Sequence, residues 1–283
     1  MSNSEGRVVL VGAGPGAPDL ISVRGERALE SADVVLHDRL VHSELVDGLE
    51  AEVIDVGKRK GDRSRTQAEI DELMIEHARR GREVVRLKGG DPTVFGRGSE
   101  EMVALREAGV EYELVPGITS ATAAPAIAGV PVTHRGWADG FTVVTAHRSG
   151  DRADFSIPPY HPRRTLVLLM GVGTMATWRR ELFLSGYPRD LPVCLVTRAS
   201  LDDQRVVVTT LEDCLVAAEQ VGIEPPATAI VGRTVAIREY LRRRRVSEED
   251  LTLAPLDLDE FDEDDVLPPR EERGGDHHSP SND

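Results

Sequence analysis

The sequence predicts an α/β protein built from two domains with a cleft between them. Short apolar stretches alternate with helical patterns in both halves of the 283-residue chain, as expected for strands covered by helices. A stretch rich in Asp, Arg and Pro at 149–163 has the composition of a linker. We therefore expect domains at 1–148 and 164–245, and an acidic tail at 246–283 that is disordered because it is charged and poor in aromatic residues.

The composition is typical of a soluble protein from a reducing compartment. Hydrophobic residues make up 40% of the chain, but no apolar run approaches the roughly 20 residues that span a bilayer. The N-terminus lacks the basic and then apolar pattern of a signal peptide. Cys194 and Cys214 have no clustered histidines and are expected to be buried thiols. We expect a cytoplasmic protein with no metal site and no membrane contact.

The formal net charge of −15 resides mainly in the tail. Residues 246–283 carry fourteen acidic side chains and two arginines, a net charge of −12, which leaves −3 for residues 1–245. This nearly balanced charge gives no reason to expect a nucleic-acid partner, which would require a basic patch.

The first strand, Val8–Val11, runs into a glycine-rich loop at Gly12–Ala17. The loop fits the permissive form of a dinucleotide-binding fingerprint, and Asp38 stands about where a ribose-binding acid would follow. However, Pro15 removes an amide donor from such a phosphate cradle, and Pro18 interrupts the helix that should begin there. The loop is better suited to form a tight wall against a small ligand than to bind NAD.

Asp38 follows the second strand, Val34–Leu36, after a helix predicted at 20–32. A carboxylate at the carboxyl end of an apolar strand could act as a general acid or base. It could equally form a turn and pair with Arg39. The residues alone leave both possibilities open.

A cationic loop follows the third strand, Val53–Val56, and carries five basic residues between positions 57 and 65. Such a loop is either simply solvated or, beside a pocket, a holder of anionic groups. Thr66 and Glu69 fit a capping box, which predicts a helix that runs to Arg80 and stops at Gly81.

We expect the functional site around the stretch Val84–Glu101. It begins as an apolar strand, breaks at Gly89 and Gly90, and resumes as a helix with acidic residues in its first turn. Adjacent glycines let the backbone come close to a ligand, and Asp91 can accept hydrogen bonds from ligand hydroxyls or amines. Ligands of open α/β sheets bind at the carboxyl ends of the strands, where this loop would lie.

A second loop of this kind follows the strand Tyr112–Val115. Pro116 and Gly117 form a turn, and Thr119 and Ser120 open a helix of small residues. Their N–H groups and hydroxyls could hold a carboxylate or an amine, or a hydroxyl could simply cap the helix. We expect Phe141–Thr145 to be the last strand of the first half.

The second half repeats the alternation of strands and helices. Residues 204–210 alternate in the manner of an antiparallel strand. The expected strands are 165–170, 192–196, 204–210 and the one that follows Pro225–Pro226, and the expected helices are 174–185, 211–220 and a short one that ends at 242–245.

Eight blocks of sequence occur together and in order: Val11–Gly16, Asp38–Val41, Val56–Arg59, Val84–Glu101, Pro116–Ser120, Thr133–Arg135, Leu169–Gly171 and Asp203–Val207. With these blocks the chain resembles the tetrapyrrole (corrin/porphyrin) methylase family over residues 7–243. It departs from the family pattern at His37, Thr66 and Thr93, where the family often has Tyr, Pro and Phe.

The resemblance implies the two-domain tetrapyrrole methylase fold, with S-adenosylmethionine in the inter-domain cleft and S-adenosylhomocysteine as product. The implied reaction adds methyl groups to C2 and C7 of uroporphyrinogen III, giving precorrin-2 for siroheme or cobalamin synthesis. A homodimer is implied as well. In such an enzyme Asp38 would be the proton acceptor and Lys58 a proton donor.

The resemblance also implies binding residues. The implied cofactor contacts are Pro15, Gly89, Gly90, Asp91, Val94, Thr119, Ser120, Met170, Ala199, Thr228 and Ala229. Because the substrate carries many carboxylates, Arg39, Arg59, Arg86 and Arg135 could clamp its rim.

Other functions fit less well. A methylase of a later precorrin should lack so complete a match over Val84–Glu101. Some relatives of this fold act on macromolecules, such as a diphthine synthase or an rRNA ribose methylase. The balanced charge of residues 1–245 and the cationic loop are better suited to an enzyme that acts on a small polyanion. A non-catalytic binding module would not need to keep Asp38 and Lys58.

Overall fold

The computed structural model describes residues 6–57, 65–146 and 156–243, which form two five-stranded sheets with helices packed against them. This arrangement confirms the α/β fold class. In the part of the chain that is described, no helix is both long enough and apolar enough to cross a bilayer.

The first sheet is entirely parallel, with strand order β3-β2-β4-β1-β5. Its strands are β1 (Arg7–Gly12), β2 (Val34–His37), β3 (Glu52–Asp55), β4 (Glu83–Lys88) and β5 (Glu111–Val115), and its helices are α1 (Val23–Glu30), α2 (Gln67–Arg79) and α3 (Gly98–Glu107). The central strands β1 and β4 are buried on both faces, as expected for a sheet covered by helices on both sides.

The helices divide between the two faces of this sheet. Leu29 of α1 packs with Val9 and Val11 on one face, whereas Met74 of α2 and Leu105 of α3 pack on the other. The chain leaves β1 toward β2 on one side and leaves the neighbouring strand β4 toward β5 on the other. The direction of the connections therefore reverses between β1 and β4, and a crevice opens at the carboxyl ends of two such strands.

The second sheet has the order β6-β7-β10-β8-β9. Strand β6 pairs in parallel with β7, and the other neighbours pair antiparallel, which confirms the antiparallel character predicted for β9. Its elements are α4 (Ser120–Ala128), β6 (Gly140–Thr145), β7 (Arg164–Leu169), α5 (Met175–Leu184), β8 (Pro192–Thr197), β9 (Arg205–Thr210), α6 (Cys214–Val221), β10 (Ala227–Val231) and α7 (Val235–Arg243).

The expected place of Phe141–Thr145 in the first half is wrong. These residues do form a strand, but β6 lies at the edge of the second sheet, in register with β7 from Gly140 opposite Arg164 to Thr145 opposite Leu169. Helix α4 carries the chain across and packs on β7, β8 and β10. The change of sheet therefore comes between β5 and α4, ahead of the expected limit at 148. Residues 149–155 of the expected linker and the tail at 246–283 lie outside the described residues.

Local sequence accounts for the helix ends. The Thr66 hydroxyl accepts the Glu69 N–H at 3.2 Å while the Glu69 carboxylate accepts the Thr66 N–H at 2.6 Å, which confirms the capping box. Helix α1 begins later than predicted, at Val23, because Pro18 opens a separate 3₁₀ turn and Ser22 caps the helix.

Stability is expected to decline at alkaline pH because the core of the second sheet encloses ionisable groups. Burial raises the pKa of the Cys194 thiol from 9.0 to about 12. Above pH 9 the unfolded thiol ionises while the folded one does not, so each further pH unit favours unfolding by up to about 1.4 kcal/mol. Urea unfolding of Cys194→Ala should show a shallower fall in unfolding free energy between about pH 9 and pH 11 than the parent protein.

Burial also raises the pKa of Cys214 to about 11 and that of Tyr187 to about 12. Both groups remain in Cys194→Ala, so part of the alkaline decline should persist in the variant. Identical slopes for the two proteins would contradict a shifted Cys194.

Candidate active site

The carboxyl ends of the first sheet gather the predicted loops at one edge. The loops after β1 and β4 leave toward opposite faces, yet they are joined by two backbone hydrogen bonds, Gly14 N–H to Gly90 O at 3.2 Å and Gly90 N–H to Gly14 O at 2.7 Å. These bonds fix the two sides of the crevice relative to each other.

Three loop backbones are in direct contact at this edge. A Cβ on Gly12 would lie 2.5 Å from Gly117 Cα, and a Cβ on Gly117 would lie 2.2 Å from Gly90 O. Gly90 also has a φ of +68°, a conformation that side chains disfavour. The approach of the loops to each other therefore requires glycine at positions 12 and 117, and the positive φ favours glycine at position 90.

Asp91 links the loop after β4 to the loop after β5. Its Oδ2 accepts the Gly117 N–H at 3.0 Å, while its Oδ1 accepts the Thr93 N–H at 2.8 Å and the Thr93 hydroxyl at 2.5 Å. Thr93, one of the departures from the family pattern, thus gives this carboxylate an additional donor. The contact of Asp91 with a ligand stays a prediction.

The N-terminus of α4 faces the same loop. Thr119 is the N-cap, and its hydroxyl accepts the Ala121 N–H at 3.3 Å, which confirms the capping alternative for this residue. A Cβ on Gly90 would meet nothing nearer than Thr119 Cα at 3.8 Å and Ser120 N at 3.9 Å. A methyl group at Gly90 would therefore be in ordinary van der Waals contact with the first turn of α4, without a clash.

The second sheet brings its predicted residues to one end. Met170 follows β7, Ala199 follows β8, and Thr228 of β10 pairs with residues at the ends of both strands. Met170 has a φ of +57° and is half exposed, and Ser200 has a φ of +72°. Such conformations are uncommon for residues other than glycine and cluster at functional sites.

The two halves meet through the loop after β1. The Ala17 N–H donates to Ser200 Oγ at 2.8 Å, and a Cβ on Gly16 would lie 3.0 Å from Ala199 O. Gln204 holds this partner loop, because its Oε1 accepts the Ser200 N–H at 2.9 Å. The Gly-Pro-Gly loop thus connects the two halves, and its predicted role as a wall against a small ligand stays a prediction.

Apolar residues line the same region of the second sheet. Val94 packs with Ala121, Val167 and Leu169 in a cluster that joins the loop after β4 to β7. A small, mostly apolar pocket lies behind this end of the sheet, and its lining includes Leu168, Gly171, Met175, Trp178, Leu195, Thr228 and Ala229.

A network of charged side chains, on the face of the first sheet that α2 and α3 cover, contacts Asp38. Arg86 donates through Nη2 to Asp38 Oδ1 and through Nε to Glu101 Oε1 at 3.1 Å, and Lys88 donates to the same Glu101 oxygen at 2.8 Å. The side chains of Arg86, Lys88 and Glu101 are at most 3% exposed, whereas that of Asp38 is 35% exposed. Asp38 is therefore the accessible end of a buried ionic network.

Burial acts differently on the two cations of this network. For Arg86, burial alone would lower the pKa of the guanidinium, but the carboxylates of Asp38 and Glu101 outweigh it and raise that pKa. For Lys88, burial and the neighbouring Arg86 lower the pKa of the ammonium, with only Glu101 and Asp38 opposing them. Arg86 consequently remains a fixed positive charge behind Asp38.

The predicted clamp role of Arg86 is corrected by this placement. Its guanidinium is buried, and it donates to Asp38, to Glu101 and to the backbone carbonyls of Leu36 and Leu87. It supports Asp38 from behind and does not face a ligand.

The other predicted clamp residues have different outcomes. Arg39 is exposed beside Gly57 at the ends of β2 and β3, and Arg135 is exposed in the loop between α4 and β6. Their contacts with a substrate stay predictions. Lys58 and Arg59 lie outside the described residues.

Sequence reasoning assigned no role to Lys88 and Glu101. A signal was present, because Arg86 and Lys88 are two residues apart on a strand and share one face with Val84, which packs against α2 and α3. Two cations on a helix-covered face require a buried anion. Glu101, in the first turn of α3, provides it.

Comparison with known proteins agrees with the geometry. The family model "Tetrapyrrole (Corrin/Porphyrin) Methylases" matches residues 7–215. The uroporphyrinogen-III C-methyltransferase of Methanocaldococcus jannaschii is 43% identical, over 82% of this chain and 98% of the relative. The siroheme synthase of Hahella chejuensis is 41% identical over 84% of this chain but only 51% of its own length.

A solved structure is similar as well. The uroporphyrin-III C-methyltransferase of Thermus thermophilus, complexed with S-adenosylhomocysteine, has a TM-score of 0.69 and 42% identity, and the match covers 82% of this chain and 94% of that one.

The contact among the loops predicts a strong effect of one added methyl group. Gly117→Ala places a Cβ against the backbone of Gly90 and Gly12, so we expect a loss of about 2–3 kcal/mol of unfolding free energy. Chemical denaturation checks it. Gly173→Ala is the matched control, because a Cβ there meets nothing within 4 Å. Equal stability of the two variants would contradict the tight contact.

Proposed function

The chain belongs to the tetrapyrrole (corrin/porphyrin) methylase family, and we propose that it transfers methyl groups from S-adenosylmethionine to C2 and C7 of uroporphyrinogen III, giving precorrin-2. The observation that carries this proposal is the placement of Asp38, half-exposed and held by a buried arginine, at the edge where the glycine loops of the first sheet meet. Similarity to uroporphyrinogen-III C-methyltransferases over most of both chains supports this substrate.

The residues present fit the methyl donor. Gly90 has no side chain to keep a ligand from its backbone, and the side chain of Met170, after β7 of the second sheet, is half exposed and apolar. A cofactor with adenine, ribose and methionine parts needs backbone contacts, an acid and apolar walls. We propose that Pro15, Gly89, Gly90, Asp91, Val94, Thr119, Ser120, Met170, Ala199, Thr228 and Ala229 contact it.

When bound, the cofactor supplies an electrophilic methyl group on a sulfonium, which an electron-rich pyrrole carbon of the substrate can attack directly. The protein must therefore align the two reactants more than it must activate them. The loops that are fixed by the Gly14–Gly90 bonds and by Asp91 suit this task, because they give the cleft a defined geometry before the ligands arrive.

The methylated macrocycle must then lose a proton, and we propose that Asp38 accepts it. Its Oδ1 contacts Arg86, and within the described residues no hydrogen-bond donor contacts its Oδ2. Arg86 thus holds the carboxylate from one side, and we propose that its second oxygen takes the proton. We propose Lys58 as the proton donor and Arg39, Arg59 and Arg135 as contacts of the substrate carboxylates, on family resemblance alone.

Methylation of another precorrin is the alternative. It would use the same cofactor loops, so only the substrate separates it from the main proposal. On family resemblance we also propose that the protein is cytoplasmic and forms a homodimer. Sedimentation of the purified protein would test the homodimer.

An anaerobic assay with uroporphyrinogen III and labelled S-adenosylmethionine tests the function. We expect two methyl groups per macrocycle, counted by the incorporated label and by the mass of the oxidised product. Cofactor binding without methylation of this substrate would contradict the substrate and favour the alternative.

Asp38→Asn tests the proton acceptor. We expect kcat to fall by about 10²–10⁴-fold with little change in cofactor affinity, because an amide cannot accept the proton. Steady-state formation of the methylated product and equilibrium binding of S-adenosylhomocysteine are the measurements. Asp47→Asn is the control, since Asp47 is exposed in the connection between β2 and β3. Normal turnover by Asp38→Asn would exclude Asp38 as the acceptor.

A further inference from the structure

Glu101 has an unusual set of partners for a buried carboxylate. The residue is fully buried, and its Oε1 accepts three donors: Lys88 Nζ at 2.8 Å, Arg86 Nε at 3.1 Å and Gln67 Nε2 at 3.2 Å. Its Oε2 is also buried and has no hydrogen-bond partner among the described residues. No ligand can reach this carboxylate in the described structure, so any role in the reaction must act through its neighbours.

This arrangement does not serve stability well. Burying ions costs free energy that their mutual attraction often fails to recover, and apolar residues of similar size are frequently as stable. One carboxylate oxygen without a donor adds to the cost. The surrounding face of the sheet is otherwise an apolar core of Val8, Leu10, Val34 and Leu36. A function beyond packing is the simplest reason for charges at this position.

The geometry of Arg86 gives that function a direction. Nε is held by Glu101, and Nη1 donates to Leu36 O at 3.2 Å and Leu87 O at 3.3 Å. The guanidinium is planar and rigid, so fixing Nε and Nη1 fixes Nη2 as well. It is Nη2 that contacts Asp38 Oδ1.

We propose that Glu101 is a positioning residue for methyl transfer, which holds Arg86 so that Asp38 presents one oxygen to the substrate. Gln67 from α2 and Lys88 from β4 in turn hold Glu101. The orientation of the accessible carboxylate is thus set by residues of α2, β4 and α3 behind it. This inference rests on the proposed role of Asp38 as proton acceptor.

The first test separates positioning from general structure. Glu101→Gln keeps the shape of the side chain and one acceptor oxygen but removes the charge that holds Arg86. We expect kcat of methyl transfer to fall by about 10–100-fold, with S-adenosylhomocysteine affinity changed by less than about 2-fold. Because β4 ends in the Gly89–Asp91 loop, a merely structural defect would weaken cofactor binding too. A loss of both kcat and cofactor affinity, or of neither, would overturn the proposal.

The second test asks whether Glu101 acts through Asp38. In an Asp38→Asn background, Glu101→Gln should lower the residual kcat by less than about 3-fold, because the orientation of residue 38 no longer matters. The same fold-loss in both backgrounds would show an independent effect and would overturn the proposal. If the residual rate falls below detection, the comparison of kcat with cofactor affinity decides alone.

Two further variants complete the design. Glu107→Gln is the matched control on the exposed end of α3 and should leave both quantities unchanged. If Glu101→Gln does not fold, Gln67→Met removes one donor to Glu101 without removing a charge and should lower kcat by about 2–5-fold at unchanged cofactor affinity; an unchanged kcat would overturn the proposal.

Activity of the parent protein separates this inference from the proposed function. A parent that does not methylate uroporphyrinogen III contradicts the proposed function. If the parent is active but Glu101→Gln leaves kcat unchanged, or lowers it equally with and without Asp38→Asn, only the positioning role is contradicted.

Discussion

The contact among the backbones of Gly12, Gly90 and Gly117 is the constraint on which the site depends. Three strand ends of the first sheet come so close that no side chain fits between them. This proximity places the β1, β4 and β5 loops within one small volume, where Asp91 and the Gly14–Gly90 bonds can tie them together. Because the loops are fixed by their own packing, the cleft has its shape without a ligand, and binding does not spend free energy on ordering the loops.

The buried charges beneath this edge complement the glycine contact. The glycines bring the loops together by omitting side chains, whereas Arg86, Lys88 and Glu101 occupy core positions with groups that are costly to bury. The glycine contact and the buried charges both replace apolar side chains in the first sheet. The second sheet has a more ordinary core around Trp178 and Leu182, and its contribution at the site is made by the loops at its edge.

Features that depend on neighbouring residues could be predicted from the sequence. The strands, the Thr66 capping box and the glycine loops at the strand ends all have local signals, and the carboxyl edge of a parallel sheet then brings the loops together. The pairing of β6 could not be predicted, because a strand of suitable composition can join either sheet and the choice depends on where α4 packs. The Ala17–Ser200 bond joins residues 183 positions apart and has no local signal. The error at Arg86 was avoidable, since the alternation of a strand places it on the same face as Val84, under the helices.

The point at which the chain changes sheets limits how the protein can be divided. A fragment that ends at 148 would retain β6 without its partner β7, leaving an unpaired strand prone to association, and would deprive the second sheet of an edge. A cut between β5 and α4 would respect both sheets, but it would sever Gly117 from Thr119 and Ser120. A division that keeps both sheets whole would therefore interrupt the loop that packs against Gly12 and Gly90, so separately expressed halves would each lack part of this contact.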